Sequence, residues 1–141
     1  MTIHQRRLKI VNFTIAGVAF DCQITSWTVS YGIKTGDRIY TYCAAGEGNN
    51  SFIEETDGEP TLNLKYLADW TAGGISDYFV NNNMLTAAFQ LDHHPDIVGE
   101  HVRWSGTVQI QAPDVGGDAR TTETEEVTLP IIGTPVYARM G

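Results

Sequence analysis

The chain has 141 residues, 42% of them hydrophobic and 18% charged, enough for one domain to remove roughly two-thirds of its unfolded surface from water and too apolar for a disordered segment. Seventeen acidic against nine basic residues give a formal net charge of -8, with no basic cluster beyond Arg6, Arg7 and Lys9, which excludes a protein that grips a phosphate backbone through counterion release. Two cysteines without C-x-x-C spacing, no run of eighteen apolar residues and no apolar signal core predict neither a disulfide framework, a membrane helix nor export from the cytoplasm.

Short spans of alternating apolar and polar residues, bounded by Gly, Asn, Asp and Pro, recur along the chain and predict half-buried strands. In chain order they cover 10–15, 18–33, 37–45, 60–67 and 86–92, the second bent by a bulge near Ser26, where the alternation changes phase. Between the last two, Ile75, Tyr78 and Phe79 follow Asp69–Gly74 and precede Asn81–Asn83, the i, i+3, i+4 stripe of one short helix that must lean on a sheet. The clearest strand is 100–112, with Val102, Trp104, Gly106, Val108, Ile110 and Ala112 on one face and Arg103, Ser105, Thr107, Gln109 and Gln111 on the other. Its expected hairpin partner is 121–131, where Val127, Leu129 and Ile131 alternate with Glu126 and Thr128, across a turn at Pro113–Asp118. Without linker, repeat or low-complexity tract, the expectation is one domain over 1–141. Its fold class is all-β with one short helix, a β-sandwich or flattened barrel. Leu62, Leu64, Phe79, Trp104, Val108, Ile110 and Leu129 belong to the expected core.

Two segments fit a compact domain poorly. Ala44–Glu59 reads as a loop of a length uncommon unless functional or disordered. It is acidic, with Glu47, Glu54, Glu55, Asp57 and Glu59, yet holds Phe52 and Ile53 near its middle. An aromatic beside a β-branched residue in a polar loop marks a contact with another surface, so Glu47, Phe52, Ile53, Glu54 and Glu55 are candidate docking residues. The tail 134–141 offers Val136, Tyr137 and Met140 as further contacts, and residues 1–8 form an N-terminal arm.

Candidate chemistry is thin. His93, His94, Asp96 and His101 lie close in sequence, but Pro95 and the absence of an i, i+4 spacing leave no ligand geometry, so an exposed turn is expected and no metal. Asp114–Asp118 lacks the alternate acids and terminal glutamate of a calcium loop, and Gly46-Glu47-Gly48 is too short for a phosphate loop. The serines at 26, 30, 51, 76 and 105 lack a G-x-S-x-G setting. Glu54-Glu55 and Glu125-Glu126, being neighbours, point to opposite faces or into solvent, and read as acidic surface. Trp27, Trp70 and Trp104 offer a sugar platform or core packing, with packing favoured for Trp104. Cys22 and Cys43 read as free buried thiols, a disulfide being the alternative. No catalytic residue and no cofactor are assigned.

Two stretches carry a family likeness. Gly58-Glu59-Pro60-Thr61-Leu62-Asn63-Leu64, then Leu67-Ala68-Asp69-Trp70 and a helix over Ile75–Val80, resemble the middle of the major tail tube proteins of long, non-contractile-tailed bacteriophages. Trp104–Ile110, Val115–Gly117 and Thr128-Leu129-Pro130-Ile131-Ile132-Gly133-Thr134-Pro135 resemble that family's closing hairpin and terminal strand, so the likeness covers about 58–135. It implies a β-sandwich with one helix, built into hexameric rings that stack helically into a hollow tube around a tape measure protein. The tube is bounded by tail terminator and distal tail proteins, and double-stranded DNA later passes through without specific binding. The resemblance places the protein in the virion tail, and in the host cytoplasm during assembly, away from membranes. Some relatives add an immunoglobulin-like domain, which is not expected here.

A tube needs one interface that closes a ring and one that repeats along the axis. Edge strands of neighbouring subunits, drawn from 18–33, 37–45, 60–67 and 100–112, are expected to pair into a continuous inner barrel. Stacking falls to the 44–59 loop, helped by the N-terminal arm and the tail. The alternatives are a tail terminator or contractile-system tube protein of the same fold, or a β-sandwich carbohydrate- or protein-binding module using Trp27 or Trp70.

Overall fold

A computed structural model describes residues 2–42 and 50–141. The period-two alternation becomes eleven strands: β1 (Val11–Ile15), β2 (Val18–Ala19), β3 (Ile24–Ser30), β4 (Ile33–Lys34), β5 (Arg38–Tyr40), β6 (Ser51–Ile53), β7 (Asp57–Gly58), β8 (Thr61–Leu67), β9 (Thr86–His93), β10 (Val102–Gln109) and β11 (Thr124–Arg139). A single helix, α1 (Ile75–Asn81), lies between β8 and β9. Seven strands join in the order β2-β1-β9-β10-β11-β8-β3, every neighbour antiparallel. The protein is therefore all-β with one short helix.

The sheet curls into a half-barrel. β3 lies four strand spacings from β9, about 19 Å in a flat sheet, yet the rings of Trp27 and His93 are centred 5.5 Å apart. The curl gathers the apolar faces into one core: Phe13 and Ile15 of β1, Phe89 and Leu91 of β9, Val108 of β10, Val127, Leu129 and Ile131 of β11, Leu62 and Leu64 of β8. A seven-residue helix is too short to hold itself in water. α1 persists because Ile75 and Phe79 are fully buried, Phe79 edge-on to Tyr66 at 5.6 Å, and Asn82 caps its end with a side-chain bond of 2.9 Å to the Tyr78 carbonyl.

Several expectations change. β11 is sixteen residues long, and its first half pairs with β8, not β10: Thr124 faces Leu67 and Pro130 faces Thr61. Only from Ile131 onward does it run beside β10, reaching Val102 opposite Arg139. The supposed hairpin turn at 113–118 is part of a longer connection between strands that do not pair at that end, and Ala112 lies exposed beyond β10. The tail at 134–141 is likewise strand as far as Arg139. What disguises it is a bulge: between Thr107 opposite Ile132 and Ser105 opposite Val136, β11 carries the extra length of Gly133–Pro135, with Gly133 at φ +83°. The segment 18–33 breaks at Phe20, whose ring turns into the core while its N–H donates to the Phe13 carbonyl at 3.0 Å. Cys22 sits in that turn and is an exposed free thiol, contrary to a buried one; Cys43 lies outside the described residues. The bulge expected near Ser26 is present, the register shifting between Ile24 and Ser26.

Candidate assembly surface

Beyond Ser30 and before Thr61 the β3–β8 pair continues as a two-stranded arm. Its first rung is Ile33 opposite Gly58 and Lys34 opposite Asp57; its second sets Arg38, Ile39 and Tyr40 against Ile53, Phe52 and Ser51. Backbone bonds fill the intervals: Glu59 N–H to Gly32 O at 3.0 Å, Glu54 N–H to Asp37 O at 2.8 Å, Thr41 N–H to Asn50 O at 2.7 Å. Gly32 makes the bend possible, because its φ is +57° and a Cβ would overlap the Glu59 carbonyl. Side chains reinforce the ladder, with Lys34 2.8 Å from Glu59 and Arg38 donating to Ser51 Oγ at 3.0 Å. Residues 50–59 are thus the returning half of a ribbon and not a loop. Phe52 and Ile53, adjacent on one strand, project from opposite faces.

Among the described residues the arm has no core of its own. Tyr31, Ile33, Tyr40, Tyr42, Phe52 and Ile53 are all exposed, Ile33 and Tyr40 each at 69%. At its root an open groove of about 790 Å³ runs between Tyr31, Ile33 and Thr56–Thr61 on one side and Pro130, Ile131 and Gly133–Pro135 of β11 on the other. Exposed apolar side chains clustered in this way are characteristic of contact sites.

The rest of the sheet presents two kinds of surface. Its outer face carries Thr14, Gln90, Ser105, Gln109, Asn63 and Thr128, opposite in phase to the core residues, and its charges cancel in pairs. Arg103 grips Asp92 with two hydrogen bonds of 2.7 and 3.1 Å, and Lys65 lies 4.0 Å from Glu126. Burial raises the Asp92 carboxyl, but hydrogen bonds from Arg103 and His101 and their charges outweigh it and hold the group below the usual carboxylate range. The second kind is edge. Among the described residues β3 ends the sheet with one side unpaired, and at the far end β2 pairs with Thr14 and Ile15 of β1, Phe20 bonding Phe13 beyond them.

Two polar clusters sit inside. Ser76 Oγ donates to Glu125 Oε1 at 2.5 Å and accepts the Asp69 N–H at 3.1 Å, while Glu125 Oε2 and the Tyr66 hydroxyl are buried without another partner. Burial, and then the Glu125 carboxylate, push the Tyr66 hydroxyl far above its ordinary range, so it stays protonated. Closed to solvent, the cluster locks α1 to β8 and β11. Near the other end, Trp104 Nε1 donates to His93 Nδ1 at 3.1 Å and its ring meets Tyr137 at 5.1 Å. Burial, then the charges of His94 and His101, lower the His93 pKa.

The sequence-predicted docking residues thus separate. Phe52, Ile53, Glu54 and Glu55 are exposed on the arm, and Glu47 lies outside the described residues. Val136, Tyr137 and Met140 keep exposed surface but belong to or flank β11, Tyr137 resting on Trp104. Leu62, Leu64, Phe79, Val108, Ile110 and Leu129 are buried in the core, and Trp104 is half-buried against it. His93 ends β9, and His94 and Asp96 lie in the expected turn, Asp96 exposed but His93, His94 and His101 partly buried; among the described residues no three His, Cys, Asp or Glu side chains are placed to hold a metal ion. Trp27 is half-buried against His93, and the indole of exposed Trp70 points at Glu123 Oε2, 3.4 Å away. Sequence reasoning missed Glu125, assigned to solvated surface, although it shares its phase with Val127, Leu129 and Ile131, which was the available signal. It also missed Ile33 and Tyr40, since exposure cannot be read from an apolar strand whose partner is unknown. Compared with known proteins, the chain matches no family model and no curated sequence.

Proposed function

We propose that this chain is a structural subunit of a bacteriophage tail tube, not an enzyme, and that copies of it assemble into hexameric rings stacked around a tape measure protein. The observation that carries the reading is the arm: a hydrogen-bonded ribbon with exposed aromatic and aliphatic side chains on both faces is costly for a solitary protein and useful to one that docks onto copies of itself. The unpaired side of β3 and the uncovered start of β1 at Val11 and Asn12 support ring closure, each edge pairing with the other on a neighbour so that the sheets run into one inner barrel. The outer sheet face, rich in Thr, Ser, Asn and Gln with its charges paired off, suits the lumen. DNA carries about one negative charge per 1.7 Å of duplex, and a wall without unpaired cations lets it slide. Tail terminator and distal tail proteins would meet the same surfaces at the two ends, in the virion tail and, during assembly, in the host cytoplasm.

Negative-stain electron microscopy of the purified chain over a concentration series tests this. Hollow filaments or six-fold rings are expected. A monodisperse monomer at the highest concentration reached would overturn it.

A further inference from the structure

We infer that the groove at the root of the arm is the seat for residues 3–10 of a second copy of this chain. The inference rests on the self-assembly reading above and names the contact that carries it. The groove is apolar along Tyr31, Ile33, Pro60, Ile131 and Pro135, and acidic where Asp57 and Glu59 line it. Glu54 and Glu55, both exposed, precede them on the same side of the ribbon's chain path. Of these acids only Glu59 has an ion-pair partner, Lys34; Glu54, Glu55 and Asp57 have none among the described residues.

The N-terminal segment is its chemical complement. Residues 2–10 contain no acid and hold three of the chain's nine basic residues, Arg6, Arg7 and Lys9. Arg6 is held by Glu100 at 2.6 Å, together with His4, while Arg7 and Lys9 have no ion pair among the described residues. Ile3 is 90% and Leu8 63% exposed, and no strand ladder includes residues 2–10. In an extended chain Leu8 and Ile10 point one way and Arg7 and Lys9 the other, which fits a groove with one apolar and one acidic wall. Eight such residues reach about 26 Å.

A copy does not fill its own groove here. Leu8 and Lys9 line a separate cleft with Ile24–Trp27, at the opposite end of β3 from Tyr31, about 20 Å along the strand. Segment and groove are different patches of one molecule, so their contact is head-to-tail and repeats from copy to copy.

The test is charge exchange in the full chain: Arg7→Glu with Lys9→Glu, Asp57→Lys with Glu59→Lys, and all four together. All four positions are exposed, so each variant should melt within about 2 °C of wild type. Each pair should raise the critical concentration for assembly at least about tenfold at low salt, and the fourfold variant should recover to within about threefold of wild type. Wild-type assembly by either pair, or no recovery in a folded fourfold variant, overturns this contact while leaving the tube reading standing. A wild-type chain that never assembles overturns both.

Discussion

Replacing Phe52 with alanine removes an aromatic ring that stands 54% exposed on the arm, opposite Ile39. If assembly covers that exposed part, roughly 100 Å² leave water at each contact. At about 25 cal/mol per Å² the loss is about 2.5 kcal/mol, and since about 1.4 kcal/mol is a factor of ten, the critical concentration should rise roughly 60-fold. Ile53 gives a similar area, 46% exposed, but on the other face of the ribbon, across from Arg38. A contact on one face makes one single variant severe and the other mild; a ribbon wedged between two surfaces makes both severe and the double variant unable to polymerise. Light scattering and pelleting across a concentration series read the effect, and circular dichroism checks the fold. Because neither side chain belongs to the core, melting should stay within about 2 °C of wild type. Wild-type critical concentrations in both single variants and in the double would refute the reasoning.

Three further outcomes are expected. Ser76→Ala leaves buried Glu125 without its 2.5 Å donor, a loss of about 2 kcal/mol and a fall of about 7 °C in melting temperature for a chain of this size; an unchanged melt counts against the locking role of that cluster. Asp92→Asn should cost about 2 kcal/mol at neutral pH by breaking the two-bond grip of Arg103. Because the folded Asp92 pKa is depressed, its contribution is present above the unfolded value, about 3.9, and is lost as pH falls through the folded one. Denaturant titrations of wild type and variant should therefore converge in acid, and a constant gap down to about pH 2 would contradict the assignment. Gly32→Ala places a Cβ against the Glu59 carbonyl at a φ of +57°; the arm should be misdirected and assembly lost while the core melts cooperatively, and normal filaments from this variant would show that its bend is dispensable.

Period-two alternation located β8, β9 and β10 to within two or three residues, and the phase change at Ser26 located a bulge, because strands half-buried in one core must alternate. Pairing was less legible. The adjacency of 100–112 and 121–131 favours a hairpin, but β11 is long enough to serve two partners, and the bulge at Gly133–Pro135 makes its second half resemble a tail. The arm was half visible. Phe52 and Ile53 stood out as apolar in acidic surroundings, whereas the strand character of 51–53 and 57–58 depends on rungs with 33–34 and 38–40 that carry no local turn signal. Glu125 was misjudged because a charge in an alternating strand is usually the end of burial, and here Ser76, forty-nine residues upstream, supplies the partner that permits it.

β11 also sets the order of events as the chain is made. The β1–β9–β10 half and the β8–β3 half of the sheet have no ladder between them except through Thr124–Arg139, which follows every other strand in sequence. Until that segment has left the ribosome, two partial sheets carry open edges toward each other, and their pairings span much of the chain, the slow kind of contact to form. A nascent chain therefore carries both strands of the arm before the sheet that roots it is closed, so in the proposed tube a finished subunit, and not a growing one, is the unit added.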